Sequence, residues 1–206
     1  MKISYSILTH NEDKSLQKLL EFLVKHKDEE DEIVILDDFS DNPKTIEILD
    51  VMTSMHEMTF EQRHLLKDYA GQKNYLKNMC DGDYIFNLDA DEMPHKFLMK
   101  NIKDILRANS SIDLYWVPRV NTVDGITQDH MQQWGWQVNE KGWVNFPDYQ
   151  GRIWRNRPNI LWKNKVHEVL TGYKEHTFLP AEEQFSFYHP KTIDRQEKQN
   201  EFYNTI

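Results

Sequence analysis

Short apolar runs alternate with amphipathic stretches along the first 120 residues. Ile3 to Thr9 predicts a buried strand that ends in the polar group Thr9-His10-Asn11-Glu12. Asp13 is a good helix N-cap. Leu16, Leu19, Leu20, Leu23 and Val24 then recur at helical spacing, predicting a helix to about His26. Glu32 to Leu36 reads as a second buried strand, ending at Asp37-Asp38. Asn42-Pro43 combines an N-cap with a first-turn proline and predicts a helix to about Met55. Met58 to Phe60 reads as a short strand. Gly71 to Cys80 reads as a helix with Tyr75, Leu76 and Met79 on one face. Tyr84 to Leu88 is another buried strand, followed by a helix from about Pro94 to Arg107 and a strand from Ile112 to Val117. Strands separated by helix-length crossovers predict an α/β fold, a mostly parallel sheet with helices on its faces.

The pattern changes after about residue 118. Trp134, Trp136, Trp143, Trp154 and Trp162 crowd this half among Gly and Pro. Short strands are predicted at 151–155, 159–162, 165–170 and 184–188, and a last helix from Pro190 to Tyr203. No repeat, low-complexity segment or linker divides the chain. The expectation is one domain over 1–206, with a nucleotide-binding half to about 120 and an acceptor half from 121.

Composition narrows the function. A chain of 206 residues can bury a sizeable core. The lone Cys80 rules out an internal disulfide, so nothing demands an oxidising compartment. No apolar run reaches the roughly 18 residues of a membrane span. Met1-Lys2-Ile3-Ser4 leads directly into a strand, without a signal-peptide layout. The expected location is cytoplasmic, with docking on a membrane surface left open. A net charge of −9 argues against general nucleic-acid binding, which needs a basic footprint. The charge is uneven: 28–41 holds acids and no Lys or Arg, whereas Glu168 is the sole acid among the basic residues of 152–174.

The strongest chemical signal is Asp89-Ala90-Asp91-Glu92, directly after a buried strand. Acids one residue apart repel unless a cation lies between them. Hard divalent cations take oxygen ligands and complete their shell with substrate phosphates. In a parallel sheet, Thr9 to Glu12, Asp37-Asp38 and Asp89 to Glu92 all reach one edge, where α/β folds bind ligands. No local Lys or Arg pairs them, so together they call for a cation or ligand. Taken singly, each group also suits a solvated turn or helix cap.

At this point the residues resemble a family. Ile3 to Glu12, Ile33 to Asp41, Gly71-Gln72-Lys73-Asn74 and Asp81 to Glu92 resemble, in order, the motifs of family 2 glycosyltransferases. The second half is similar to a subgroup related to lipopolysaccharide-core glucosyltransferases, through Arg152-Ile153-Trp154-Arg155-Asn156, Val166-His167-Glu168 and Tyr188-His189-Pro190. The resemblance implies a GT-A fold and a nucleotide-diphospho-sugar donor, with a UDP-sugar favoured. It implies that Thr9, His10, Asn11 and Glu12 line the nucleoside site and that Asp37 or Asp38 bonds the base. Lys73 would lie near the nucleotide, Asp89 at the ribose or sugar, and Asp91 on Mn²⁺ or Mg²⁺.

Other roles are contested within the sequence. The Glu-Asp pair that supplies the catalytic base in many family members does not occur after residue 92. Glu168 is the first candidate for that base and Asp148 the second. Glu168 also suits a structural salt bridge to Lys163 or Lys165. His189 and His167 compete as a further metal ligand, through a ring nitrogen. Arg152 and Arg155 are candidates for the diphosphate, and strand alternation lets only one of them reach it. The tryptophans suit either core packing or stacking on an acceptor sugar. The reading is a metal-dependent, inverting sugar transfer to an acceptor of unspecified kind: glycan, lipid-linked or protein. Its rivals are a catalytically silent sugar-nucleotide or glycan-binding module, and a nucleotidyltransferase. The last would usually carry a Gly-rich basic loop after its first strand.

Overall fold

The computed structural model describes residues 1–203. In chain order the elements are β1 (Ile3–Thr9), α1 (Lys14–His26), β2 (Glu32–Asp37), α2 (Pro43–Met55), β3 (Thr59–Gln62), α3 (Tyr69–Asn78), β4 (Tyr84–Asp89), β5 (Met93–Pro94) and α4 (Lys96–Ala108). The second half adds β6 (Leu114–Asp124), α5 (Gln128–Trp134), β7 (Val144–Arg155), β8 (Leu161–Lys163), β9 (Val169–Thr171), β10 (His176–Phe178), β11 (Phe187–Thr192) and α6 (Ile193–Tyr203). One sheet runs through both halves in the order β3-β2-β1-β4-β7-β6-β11-β5, with β10 also on β6; β8 and β9 form a separate hairpin. The first four strands are parallel, and β7 is antiparallel to both of its neighbours.

Alternation along the strands builds two apolar layers. Ile3, Tyr5, Ile7, Ile33 and Ile35 pack with Leu16, Leu19, Leu20 and Leu23 of α1 and Leu98, Ile102 and Leu106 of α4. Val34, Leu36, Ile85 and Trp154 pack on the other face, against Ala70, Leu76 and Cys80 from the α3 segment and Trp162 and Leu170 from the hairpin. Helices therefore cover both faces, as the crossover pattern requires. The register sets Thr9 opposite Asp37 and Leu8 opposite Asp89, which brings the polar strand ends to one edge.

Several boundaries differ from the sequence expectation, for local reasons. Helix α3 starts at Tyr69 rather than Gly71 because Asp68 caps it, accepting from the Gly71 N–H at 2.9 Å. Met93-Pro94 is not the first turn of α4; it pairs with β11, and the His95 side chain caps the helix instead. Strand β6 continues past Val117 to Asp124 because β7 and β11 pair with it there. Strand β7 begins at Val144 rather than 151, with a polar first half that carries no apolar period. Pro190 lies in β11, paired opposite Thr122, so the last helix starts only at Ile193. Of the predicted strand 165–170, Val169 and Leu170 pair, and the strand runs on to Thr171. Among the described residues, no helix is long and apolar enough to cross a membrane.

Candidate active site

A cavity of about 1060 Å³ opens beside the end of β4; Thr9, His10, Asn11, Glu12, Asp37 and Asp38 lie outside its lining. Asp89, Asp91, Asp148, Arg152, Lys73, Glu168 and His189 all line it.

Its floor is a charge cluster brought by β7. Arg152 is buried, and its Nη2 lies 2.6 Å from Asp89 Oδ2 and 2.5 Å from Glu92 Oε1. Burial alone would raise the Asp89 carboxyl; the Arg152 and Lys73 charges outweigh it and hold the group well below the usual carboxylate range. Arg152 is thus spent on the strand-end acids. This corrects the expectation that those acids are unpaired: their cations come from the second half of the chain. Arg155, three residues on, lies opposite Tyr84 at the other end of β4. It donates to the Ile112 and Ser110 carbonyls and pairs with Asp113, so it does not line the cavity.

Beside this cluster a chain of contacts reaches Asp91. Arg119 donates to Asp148 Oδ2 through Nε at 2.8 Å and Nη2 at 2.6 Å. The Asn121 amide N–H donates to the same oxygen at 2.8 Å. That fixes the Asn121 amide, so its Oδ1, 2.8 Å from His189 Nδ1, accepts the Nδ1 proton. His189 Nε2 then faces Asp91 Oδ2 at 3.3 Å. A neutral imidazole would present a lone pair there, and two facing acceptors need a proton or a cation between them. Burial would raise the Asp91 carboxyl, but a protonated His189 ring bonded to it and the Arg195 charge would hold it below its ordinary value. Arg195 of α6 meets the same Asp91 oxygen at 3.0 Å and also pairs with Glu12.

The donor set fits a hard divalent cation of one kind. Among the described residues no three His, Cys, Asp or Glu side chains form a ready cage. Asp91 and His189 offer two ligands. This suits an ion that keeps water and takes phosphate oxygens from a substrate. His167, the competing ligand, is exposed in the β8–β9 loop with a left-handed backbone and does not line the cavity.

The β8–β9 hairpin brings in Glu168. Gly172 closes the hairpin with φ +87°, and a Cβ there would meet the Asn159 carbonyl oxygen at 1.8 Å, so only glycine fits. Glu168 pairs with Lys73 of α3, not with Lys163 or Lys165, and the Lys73 amine also sits 4.3 Å from the centre of the Trp162 ring. Asp148 is still more occupied, bonded by Arg119, Asn121 and Gln150. Burial would raise its carboxyl, but these partners hold it below the usual range.

At the far end of the edge the two aspartates separate. Asp37 is fully buried and accepts from the Ser40 N–H at 2.9 Å, the Ser40 hydroxyl at 2.6 Å and Gln62 at 2.9 Å. Asp38 is half-buried and accepts from the Leu65 N–H at 2.8 Å. Asn11 has φ +52° and staples the edge, its Oδ1 accepting from the Asp41 and Asn42 N–H groups. His10 Nδ1 is 2.8 Å from the Asp38 carbonyl. Thr9 is buried with its hydroxyl unpartnered. Phe39, also left-handed, is exposed and stacks on His64 at 4.0 Å. Arg119, Asn121, Lys191, Arg195 and the Phe39–His64 pair were not predicted from sequence. Only the left-handed pre-turn position of Phe39 lies within a motif.

Comparison with known proteins gives the family and the fold. An uncharacterized glycosyltransferase of Rickettsia typhi is 27% identical over 109 residues, covering 53% of this chain and 34% of the relative. One from Rickettsia prowazekii matches equally. The chain thus spans about a third of the length of these relatives in the matched region. Crystal structures of S. aureus TarS share the fold. One superposes with a TM-score of 0.63 at 16% identity, covering 97% of this chain and 38% of that one. TarS 1–349 in complex with UDP-GlcNAc gives 0.59 at 16%, covering 93% and 59%. The model of glycosyl transferase family 2 matches residues 4–172, and the chain belongs to that family.

Proposed function

We propose that this chain moves a sugar from a nucleoside diphosphate donor, with a UDP-sugar favoured, to an acceptor hydroxyl with inversion, assisted by Mn²⁺ or Mg²⁺. The observation that carries the reading is the Asp91–His189 pair, with the imidazole tautomer set by Asn121. Family membership supports glycosyl transfer, and TarS, which shares the fold, has been crystallised with UDP and with UDP-GlcNAc. When bound, the cation stabilises negative charge on the departing diphosphate. Asp91 and His189 would hold it. Asp89, steadied by Arg152, faces the ribose or sugar. Asp38 bonds the base beside Phe39 and His64. Glu168 takes the acceptor proton on the opposite side of the sugar, after Lys73 releases it.

A thermal-shift panel of nucleoside diphosphates, each with Mn²⁺ or with EDTA, tests the proposal. A ligand at a hundred times its dissociation constant adds about 2.7 kcal/mol of apparent stability. UDP with Mn²⁺ is expected to shift melting most. No shift from any nucleoside diphosphate with Mn²⁺ would sink the reading.

One observation favours a silent binding module of the same fold: both candidate bases, Glu168 and Asp148, are ion-paired. That module would bind UDP-sugar with Mn²⁺ yet neither hydrolyse nor transfer it. Release of UDP by purified protein separates the two readings.

The two aspartates of the second strand should behave differently. Asp37→Ala leaves a buried N–H, a hydroxyl and an amide unsatisfied, and is expected to lower stability by about 2–4 kcal/mol. Asp38→Ala is expected to keep stability within about 1 kcal/mol and to weaken UDP binding. Urea unfolding and calorimetric titration of both variants check this. Equal, wild-type affinities with equal stabilities would remove Asp38 from the nucleoside site.

A further inference from the structure

Arg195 stands between two carboxylates of the site. It lies in the first turn of α6, and its guanidinium bridges Asp91, at 3.0 Å, and Glu12. A cation between two carboxylates at this edge does electrostatically what a bound metal would do. Arg152 and Arg195 differ in kind. The Arg152 side chain is 5% exposed and clamped by Asp89 and Glu92, whereas that of Arg195 is 43% exposed. An exposed side chain changes rotamer in picoseconds to nanoseconds, without movement of its helix. The oxygen that Arg195 meets on Asp91 is also the one facing His189 Nε2. A metal ligated by Asp91 and His189 would need that oxygen, and would repel a guanidinium left beside it. Arg195 lines the cavity in which the diphosphate would lie, and guanidinium groups bind phosphate oxygens in pairs.

We propose that Arg195 exchanges partners: it holds Asp91 and Glu12 in the free protein, yields Asp91 to the incoming divalent cation, and turns to the diphosphate of the donor. Arg195 is thus a competitor of the metal and a ligand of the nucleotide. This rests on the donor and metal reading above.

Two affinities test it on the whole chain: Mn²⁺ alone, followed by the electron paramagnetic resonance of free Mn²⁺, and UDP at saturating Mn²⁺, by calorimetry. Arg195→Ala is expected to bind Mn²⁺ alone several-fold more tightly. It should bind UDP roughly tenfold or more weakly, the loss of a charge-assisted hydrogen bond. Arg195→Lys keeps the charge and should hold both values nearer wild type. The melting temperature of Arg195→Ala guards against a folding artefact in that variant. Unchanged or weaker Mn²⁺ binding by Arg195→Ala overturns the exchange, as does unchanged UDP binding. In either case wild type still binds UDP with Mn²⁺, and only the role of Arg195 is lost. Wild type that binds neither ligand overturns the donor reading and the exchange together.

Discussion

Glu168→Gln is expected to bind UDP-sugar within a few-fold of wild type and to lower kcat by roughly a hundred- to ten-thousand-fold. The substitution keeps the size of the side chain and its ability to accept a hydrogen bond from Lys73, but removes the proton acceptor. Glu168 is singled out by position. It lines the cavity from the β8–β9 hairpin, and among the described residues its carboxylate is bound by Lys73 alone. Asp148, in contrast, is bonded by Arg119, Asn121 and Gln150, which leaves little of its carboxylate for an acceptor hydroxyl. The measurements are kcat with a competent acceptor, donor affinity, and melting temperature. Near-wild-type kcat would move the base to Asp148. Loss of folding would make the Lys73–Glu168 pair structural.

Arg152→Ala should be the most destabilising single change in the site, by about 3–5 kcal/mol. Asp89 keeps 40% of its side chain exposed and can recover water, but the Glu92 side chain is fully buried and would lose its closest cation. Arg119, at 3.4 Å, remains near it. Arg152→Lys should rescue little, since an ammonium cannot spread over Asp89, Glu92 and Asn87 as the guanidinium does. Burial raises Glu92 and Arg152 opposes that rise, so loss of Arg152 costs most where both carboxylates are ionised; Asp89 gives the same sign. Its folded-state value is depressed, so its contribution is present above the ordinary carboxylate range and is lost as pH falls through the depressed value. The gap between wild type and variant should therefore be widest near neutrality and narrow on acidification. Urea unfolding across pH measures it, and a loss below about 1 kcal/mol at neutrality would show that water replaces the guanidinium at little cost.

Much of the first half could be read from sequence because its strands are buried runs bounded by polar turns. β1, β2 and β4 and their acidic ends follow from hydrophobic pattern and parallel order alone. The divergence of Asp37 and Asp38 follows from strand alternation. The second half was less legible, for a physical reason. Its long strands line the site, so Asn145 to Arg152 mix polar and apolar positions and hide the period of β7. β5 and β10 are too short to carry a pattern. The relay to His189 is made by register: Arg119 stands opposite Asp148 across β6–β7, and Asn121 opposite His189 across β6–β11. Such pairs have no signal in sequence until the strands are paired. Arg195 meets Glu12 from 183 residues away, through the docking of α6 at the sheet edge.

The most direct test of the account is calorimetric titration of UDP into wild type and Asp91→Ala, each with Mn²⁺ and with EDTA. The account predicts that wild type binds UDP tightly only with Mn²⁺. It also predicts that Asp91→Ala, still folded, binds equally weakly in both conditions. Wild-type affinity unaffected by EDTA, or a Mn²⁺-dependent gain retained in Asp91→Ala, would contradict it.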